Sequence, residues 1–234
     1  MFDTAAFERN GYAVLSRVFD ERTIQSLLLR WSELTRESNR DGAILSGGTG
    51  GVYGARNVLK IWPDVIHLIT DSPLKTILSM ILGPDAGVVR GLLFDKPPGQ
   101  SWALPMHRDL TIAVKKHGAI GTFTKPTTKA GVPHVEAQIS LLDRMVTVRI
   151  SLDETTDENG PLKLIPGSHR GDNSSQVTIL GNAGDVLLMR PRILHGSGQS
   201  AERTNRHRRV IHLECAATSE LPDGYEWNEF ISLA

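Results

Sequence analysis

Met145-Val146-Thr147-Val148-Arg149-Ile150-Ser151-Leu152 is an apolar run of strand length, and Asn159-Gly160-Pro161 turns the chain before the next one, Leu162-Lys163-Leu164-Ile165. Pro166-Gly167-Ser168 turns it again. The same texture extends outward to Val88–Phe94, Thr111–Val114, Val186–Met189 and Arg209–Leu213. Short apolar runs between Gly, Pro and Asn turns predict an all-β barrel or sandwich from residue 88 onward, not an alternating α/β fold.

Upstream the pattern is mainly helical. Asp3–Glu8 reads as a short capped helix and Gly11–Leu15 as a strand. Asp20 caps a helix whose buried face is Ile24, Leu27, Leu28, Trp31 and Leu34. A further helix runs from Ser72-Pro73 to Leu82 and is stopped by Gly83-Pro84. Ser46–Gly51 is a flexible loop without the lysine or the strand-to-helix setting of a phosphate cradle. Lys115–Gln138 is polar and interrupted by Gly and Pro, which predicts a lid or binding loop. The expected organisation is one domain over residues 1–234: a mainly helical part (1–87), a β core (88–215) and a C-terminal tail (216–234).

The 26 basic and 26 acidic side chains of the 234 residues give a formal net charge of +0, so no nucleic-acid partner is expected. A single cysteine, Cys215, excludes an internal disulfide and a cysteine-rich zinc site, and its apolar surroundings make it a core residue. There is no apolar run of membrane-spanning length and no signal-peptide pattern, so the expectation is a cytoplasmic protein without a membrane partner.

The chemistry is concentrated in His107-Arg108-Asp109 and, far downstream, His195 in Leu194-His195-Gly196-Ser197. On a strand, residues two apart share a face, so His107 and Asp109 reach one metal from one sheet edge, with His195 entering from a neighbour. Two imidazoles and one carboxylate are the facial ligand set of non-haem Fe(II) oxygenases, although the ligand set alone also accommodates zinc. His169 competes for the third position but reads as a turn residue bonding its own loop. His67, His117 and His207 read as surface or helix residues, and His212 as a satisfied core histidine.

The chain resembles the phytanoyl-CoA dioxygenase (PhyH-like) family of Fe(II)/2-oxoglutarate oxygenases. The matching segments, in the family's order, are Leu93–Pro98, Pro105–Thr111, Ser151-Leu152-Asp153, Glu158–Leu162, Ile165–His169, Leu194–Gly198 and His207–Val210. The resemblance implies a mainly β fold with flanking helices, the double-stranded β-helix or cupin-like jelly roll, with His107, Asp109 and His195 as iron ligands. It also implies an arginine on the last strand that holds the distal carboxylate of 2-oxoglutarate. Arg208 is the first of the basic pair and the favoured anchor, with Arg209 and Arg206 as competitors. Strand alternation forbids Arg208 and Arg209 from both facing inward. Ser197 is placed to add a hydroxyl to the same carboxylate.

Trp102 and Met106 are expected to wall the pocket, and Trp102, His134 and Gln138 to contact a small-molecule substrate. Arg56 and Lys60 are candidates for a cosubstrate or substrate anion. The implied activity is a dioxygenase that uses iron, O₂ and 2-oxoglutarate and releases succinate and CO₂, with hydroxylation as the default outcome. Asp109 argues against a halogenase, in which a small residue frees that coordination position. The alternatives are a cupin-like metalloenzyme that does not use 2-oxoglutarate and a non-catalytic cupin-like binding protein.

Overall fold

A computed structural model describes residues 2–37, 42–47, 51–99, 102–118, 121–172 and 174–234. Gly48–Gly50 of the glycine-rich loop lie outside the described residues.

The apolar runs pair into two facing sheets. The larger has the order β1 (Tyr12–Leu15), β12 (Val186–Met189), β9 (Met145–Ser151), β14 (Arg208–Ala216), β4 (Gly87–Lys96), β3 (Val52–Ala55), β2 (Ile44–Ser46), with β15 (Ile231–Ser232) also on β4. The smaller has the order β11 (Val177–Ile179), β10 (Leu162–Leu164), β13 (His195–Ser197), β5 (Leu104–His107). A third sheet, β6 (Thr111–Ala113), β8 (Val132–Glu136) and β7 (Thr124–Lys129), packs through Ile112 and Val135 onto Val89, Met145 and Ala216. Among the described residues every strand pairing is antiparallel, and the fold is a double-stranded β-helix of jelly-roll type.

Strand alternation assigns the two faces of the large sheet. Ile211, Leu213 and Cys215 of β14, with Val146, Val148 and Ile150 of β9, face outward into one apolar cluster. That cluster includes Ile24, Leu27, Trp31 and Leu34 of α2 (Glu21–Arg36) and Leu74, Leu78 and Leu82 of α5 (Pro73–Leu82). The alternate residues Arg208, His212 and Glu214 face into the barrel. There Leu162 and Leu164 of the small sheet meet Leu187 and Met189 of the large one. Burying this outer face contributes roughly 1.5–3 kcal/mol per large side chain, which fixes the register of β9 and β14.

Caps fall where the sequence places them. Asp3 Oδ1 accepts from Ala6 N at 2.8 Å at the start of α1 (Thr4–Asn10), and Asp20 Oδ1 accepts from Thr23 N at 2.8 Å at the start of α2. Gly11 ends α1 at φ 76°, and a Cβ there would lie 2.4 Å from His169 Nδ1, so a side chain is excluded on two counts. The described residues also include the short α-helices α3 (Val58–Ile61), α4 (His67–Thr70) and α6 (Ile139–Leu142) and 3-10 turns at Pro63–Ile66, Ser168–Arg170 and Pro222–Gly224. Among the described residues no single helix is long and apolar enough to cross a membrane.

Residues 1–87 are mainly helical and also contribute β1, β2 and β3 to the large sheet. Residues 216–234 pack onto the core: Tyr225, Trp227 and Leu233 are buried and Ile231 pairs with Val88. Within Lys115–Gln138, Thr124–Lys129 and Val132–Glu136 pair as a hairpin. Its outer strand Thr124–Lys129 is solvent-exposed and carries Pro126 at a register shift, which is why its sequence reads as a loop.

Candidate functional site

His107 and His195 are direct cross-strand partners at the ends of β5 and β13, with ring centroids 4.4 Å apart. Strand β5 stops at His107, so Asp109 is not delivered by strand alternation as expected. Its backbone N–H instead donates to Pro191 O at 2.9 Å, which ties it to the segment leading into His195. His107 Nε2 lies 3.6 Å from Asp109 Oδ1 and His195 Nε2 lies 3.6 Å from Asp109 Oδ2. One ligand atom from each of the three falls within 4.8 Å of the others.

The donor set suits a metal in its details. His107 Nδ1 contacts Pro105 O at 2.8 Å and His195 Nδ1 contacts Ile193 O at 2.9 Å. A carbonyl only accepts, so both Nδ1 atoms carry a proton, and in the neutral, ligating form each Nε2 offers its lone pair on the side of Asp109. Burial pushes the His195 imidazole down to about 4, so it is neutral and able to ligate at neutral pH. Without a metal, Asp109 raises the His107 imidazole by hydrogen bonding with it. Burial raises the Asp109 carboxyl, but this bond, with His195 and His212 nearby, holds it below the usual carboxylate range.

Beside the triad lies a cluster of buried cations. Lys96 at the end of β4 is 0% exposed, Arg208 is 4% and Arg149 is 8%. Among the described residues none of the three has a carboxylate within salt-bridge distance. Lys96 Nζ donates to Ser197 Oγ at 2.9 Å and Gly198 O at 2.6 Å, and lies 5.4 Å from the centre of the Trp102 ring. Burial, then Arg208 and Arg149, pushes the Lys96 ammonium down to about 7. Burial and then Arg149 push Arg208 down to about 9, and Arg208 Nε has no partner. Buried like charges are costly unless an anion joins them.

The competing arginines are otherwise engaged. Arg209 makes a two-pronged pair with Asp153, with Nε at 2.8 Å from Oδ2 and Nη2 at 2.6 Å from Oδ1. Arg206 is exposed and pairs with Glu154 at 2.5 Å. Gly160, at φ 70°, lets the chain pass this cluster: a Cβ would lie 2.5 Å from Gly198 O and 3.2 Å from Lys96 Nζ.

His212 is a buried histidine: Arg149 Nη1 donates to its Nδ1 at 3.1 Å, so the proton sits on Nε2, which faces Glu214 Oε1 at 3.6 Å. His169 reaches Glu8 O at 3.1 Å on α1 instead of its own loop, far from a ligand's role. Trp102 is half-buried and stacks edge-on with Tyr53 at 5.6 Å. Met106 is exposed beside His107. His134 is buried, whereas Gln138 is exposed on a shallow surface hollow with Thr122 and Leu141.

Lys96 and Arg149 escaped the sequence reading. The available signal was alternation: from Val146 to Leu152 the apolar residues are even-numbered, and Thr147, Arg149 and Ser151 form the second, polar face.

A double-stranded β-helix with a two-histidine, one-aspartate cluster defines the class as jelly-roll proteins with a facial metal-ligand set. The sequence matches the profile of the family described as Phytanoyl-CoA dioxygenase (PhyH) over residues 7–210, and the chain belongs to that family. An ectoine dioxygenase from Bordetella bronchiseptica is 25% identical over 168 residues, which is 70% of this chain and 48% of the relative. The chain thus spans about half the length of the curated relatives it matches. Its fold is similar to that of EctD from S. alaskensis solved with 2-oxoglutarate and 5-hydroxyectoine, at TM-score 0.70 and 22% identity over 91% of this chain and 74% of that one. The non-haem α-ketoglutarate-dependent epimerase SnoN from nogalamycin biosynthesis is similar at TM-score 0.69 and 17% identity, over 99% of this chain and 97% of that one.

Proposed function

We propose that this chain is a non-haem iron dioxygenase that consumes 2-oxoglutarate and O₂ and oxidises a small molecule, with hydroxylation as the outcome. The observation that carries the reading is the set of three buried cations, Lys96, Arg149 and Arg208, with no carboxylate within salt-bridge distance among the described residues, beside His107, Asp109 and His195. A dianionic cosubstrate supplies the missing countercharge. A metalloenzyme without such a cosubstrate has no use for this charge.

His107 Nε2, His195 Nε2 and an Asp109 oxygen would hold Fe(II), the ion that two imidazoles and a carboxylate suit when other positions stay open. When bound, the iron would activate O₂, the oxidant, and 2-oxoglutarate would give up two electrons as it is decarboxylated to succinate and CO₂, leaving the substrate to supply the other two. Arg208 fixes the far carboxylate through its planar fork, which a lysine cannot match. Lys96 and Ser197 share one hydrogen bond and present a second charge and a hydroxyl to the same group. Arg149 stands between this pocket and the triad and holds His212 in one tautomer. Trp102 covers Lys96 and keeps water from the charged pocket.

Anaerobic titration with Fe(II) tests the metal assignment. The wild type binds one equivalent, and 2-oxoglutarate then binds more tightly than to the metal-free protein. Asp109→Ala and His195→Ala abolish the Fe(II) binding with the melting profile retained. Stoichiometric Fe(II) binding by both variants contradicts the assignment.

A further inference from the structure

Resting on that reading, we propose that the barrel holds a second anion subsite, formed by Arg56, Lys129 and His134. It would recognise the substrate through a carboxylate that carries a neighbouring hydroxyl or amine.

Three elements bring these residues together. Gly54 and Ala55 of β3 pair with Phe94 and Leu93 of β4, so Arg56, next in line, falls on the barrel-facing side with Gly54. Arg90 of β4 lies on that same side and pairs with Glu214 at 3.0 Å, opposite it on β14. The β7–β8 turn is pinned to this edge because Asn57 Nδ2 donates to Ala130 O at 3.1 Å. Ala130 and Gly131 both have positive φ, at 47° and 75°, the geometry of a tight hairpin turn. Lys129, just before the turn, reaches back so that its Nζ donates to Thr111 Oγ1 at 3.4 Å, two residues past the candidate ligand Asp109.

The charges do not balance. Arg90 and Glu214 neutralise each other, but among the described residues neither Arg56 nor Lys129 has a carboxylate within salt-bridge distance, and both are only partly exposed. Burial, with Arg90 and Arg56 next, pushes the Lys129 ammonium down, and burial followed by Arg90 does the same to Arg56. Glu214 attracts both groups and Asp109 attracts Lys129, but from beyond salt-bridge distance and outweighed by burial, which leaves room for an arriving anion.

His134 supplies the second half of the recognition. It lies on the same side of the hairpin as Thr111, opposite to Val135, which is in the apolar core. Its ring is 2% exposed, and Nδ1 contacts Val132 O at 2.9 Å, so Nδ1 holds the proton. Its Nε2 is therefore an acceptor, buried and without a partner. Burial and then Arg90 push this imidazole down to about 4, so it stays an acceptor at neutral pH. Two free cations next to one orphaned acceptor fit a carboxylate and an adjacent O–H or N–H. Along β14, Glu214, which pairs with Arg90 beside this subsite, lies six residues beyond Arg208, so the subsite and the Lys96/Arg208 pocket sit toward opposite ends of the strand. The separation along the strand is roughly 20 Å.

Calorimetry with glycolate and acetate tests the proposal, in anaerobic protein carrying Fe(II) and saturating 2-oxoglutarate. The 2-oxoglutarate titration is read first, so a failure of the cosubstrate reading shows there and leaves the glycolate titration interpretable on its own. Glycolate is expected to bind, and more tightly than acetate, which lacks the hydroxyl. Arg56→Ala and Lys129→Ala each weaken it about tenfold or more, the weight of a lost charge-assisted hydrogen bond. Arg56→Lys, which keeps the charge in a half-buried position, retains binding and controls for folding. His134→Phe removes the preference for glycolate over acetate. Absence of glycolate binding to the wild type, or binding indifferent to both Arg56→Ala and Lys129→Ala, overturns the subsite, and equal binding of the two probes overturns the role of His134.

Discussion

Replacing Arg208 by alanine separates the cosubstrate reading from every alternative register of the last strand. In the wild type Arg208 is almost fully buried, with Nε unpartnered and, among the described residues, no carboxylate within salt-bridge distance. Removing one partner of a buried, hydrogen-bonded ion pair costs about 3–5 kcal/mol. Lys96 remains to hold part of the carboxylate's charge, so the low end applies, and about 3 kcal/mol corresponds to roughly a 150-fold loss in 2-oxoglutarate affinity. Arg208→Lys keeps the charge but loses the fork and should fall about tenfold. Arg209→Ala should stay within about threefold, because Arg209 is committed to Asp153 on the far side of the strand. The assay is isothermal titration of 2-oxoglutarate in the presence of Fe(II) under argon, alongside thermal melting without ligand. Truncating one of three mutually repelling cations should leave the ligand-free melting temperature unchanged or higher, which distinguishes lost binding from lost folding. A large effect of Arg209→Ala with little from Arg208→Ala would refute the reasoning outright.

Three further outcomes follow from the same geometry. Lys96→Met should raise the melting temperature of ligand-free protein at pH 7. The folded ammonium is pushed down to about 7 from an unfolded value of 10.5, so the unfolded chain binds more protons between those limits and wild-type stability rises with pH there; the variant's advantage should therefore shrink toward pH 10, and a pH-independent gain would contradict it. Gly160→Ala should destabilise by about 1–3 kcal/mol in chemical denaturation and weaken 2-oxoglutarate binding, because a Cβ would collide with Gly198 O, the carbonyl that Lys96 grips; unchanged stability argues against the positive-φ turn. Gly11→Ala should cost a similar amount through the His169 ring while sparing 2-oxoglutarate affinity, so a loss of that affinity would mean that α1 and the site are coupled.

The sequence was most legible where side-chain periodicity and caps coincide. Asp20 with Ile24, Leu27, Trp31 and Leu34 specifies α2, and Ser72-Pro73 with Gly83 specifies α5, because an apolar stripe and a polar cap are both local signals. The core strands Val186–Met189 and Met145–Ser151 were visible for the same reason. Short edge strands were not: Thr124–Lys129 buries almost nothing and is held by the partner strand Val132–Glu136, an interaction its own residues do not encode. The site divided along similar lines. His107, Asp109 and His195 could be named from residue type, but the route by which Asp109 arrives depends on a hydrogen bond to Pro191 that no local pattern announces. Lys96 and Arg149 look like ordinary strand residues until the sheet closes, since their meaning is a charge balance summed over β4, β9 and β14.

The most direct test of the account is succinate formed from 2-oxoglutarate by the purified protein with Fe(II) and ascorbate, compared in air and under argon. The account predicts succinate that requires both Fe(II) and O₂, at a slow uncoupled rate even without the true substrate, and absent from Asp109→Ala. Absence of succinate together with no measurable binding of 2-oxoglutarate to the wild type would contradict it.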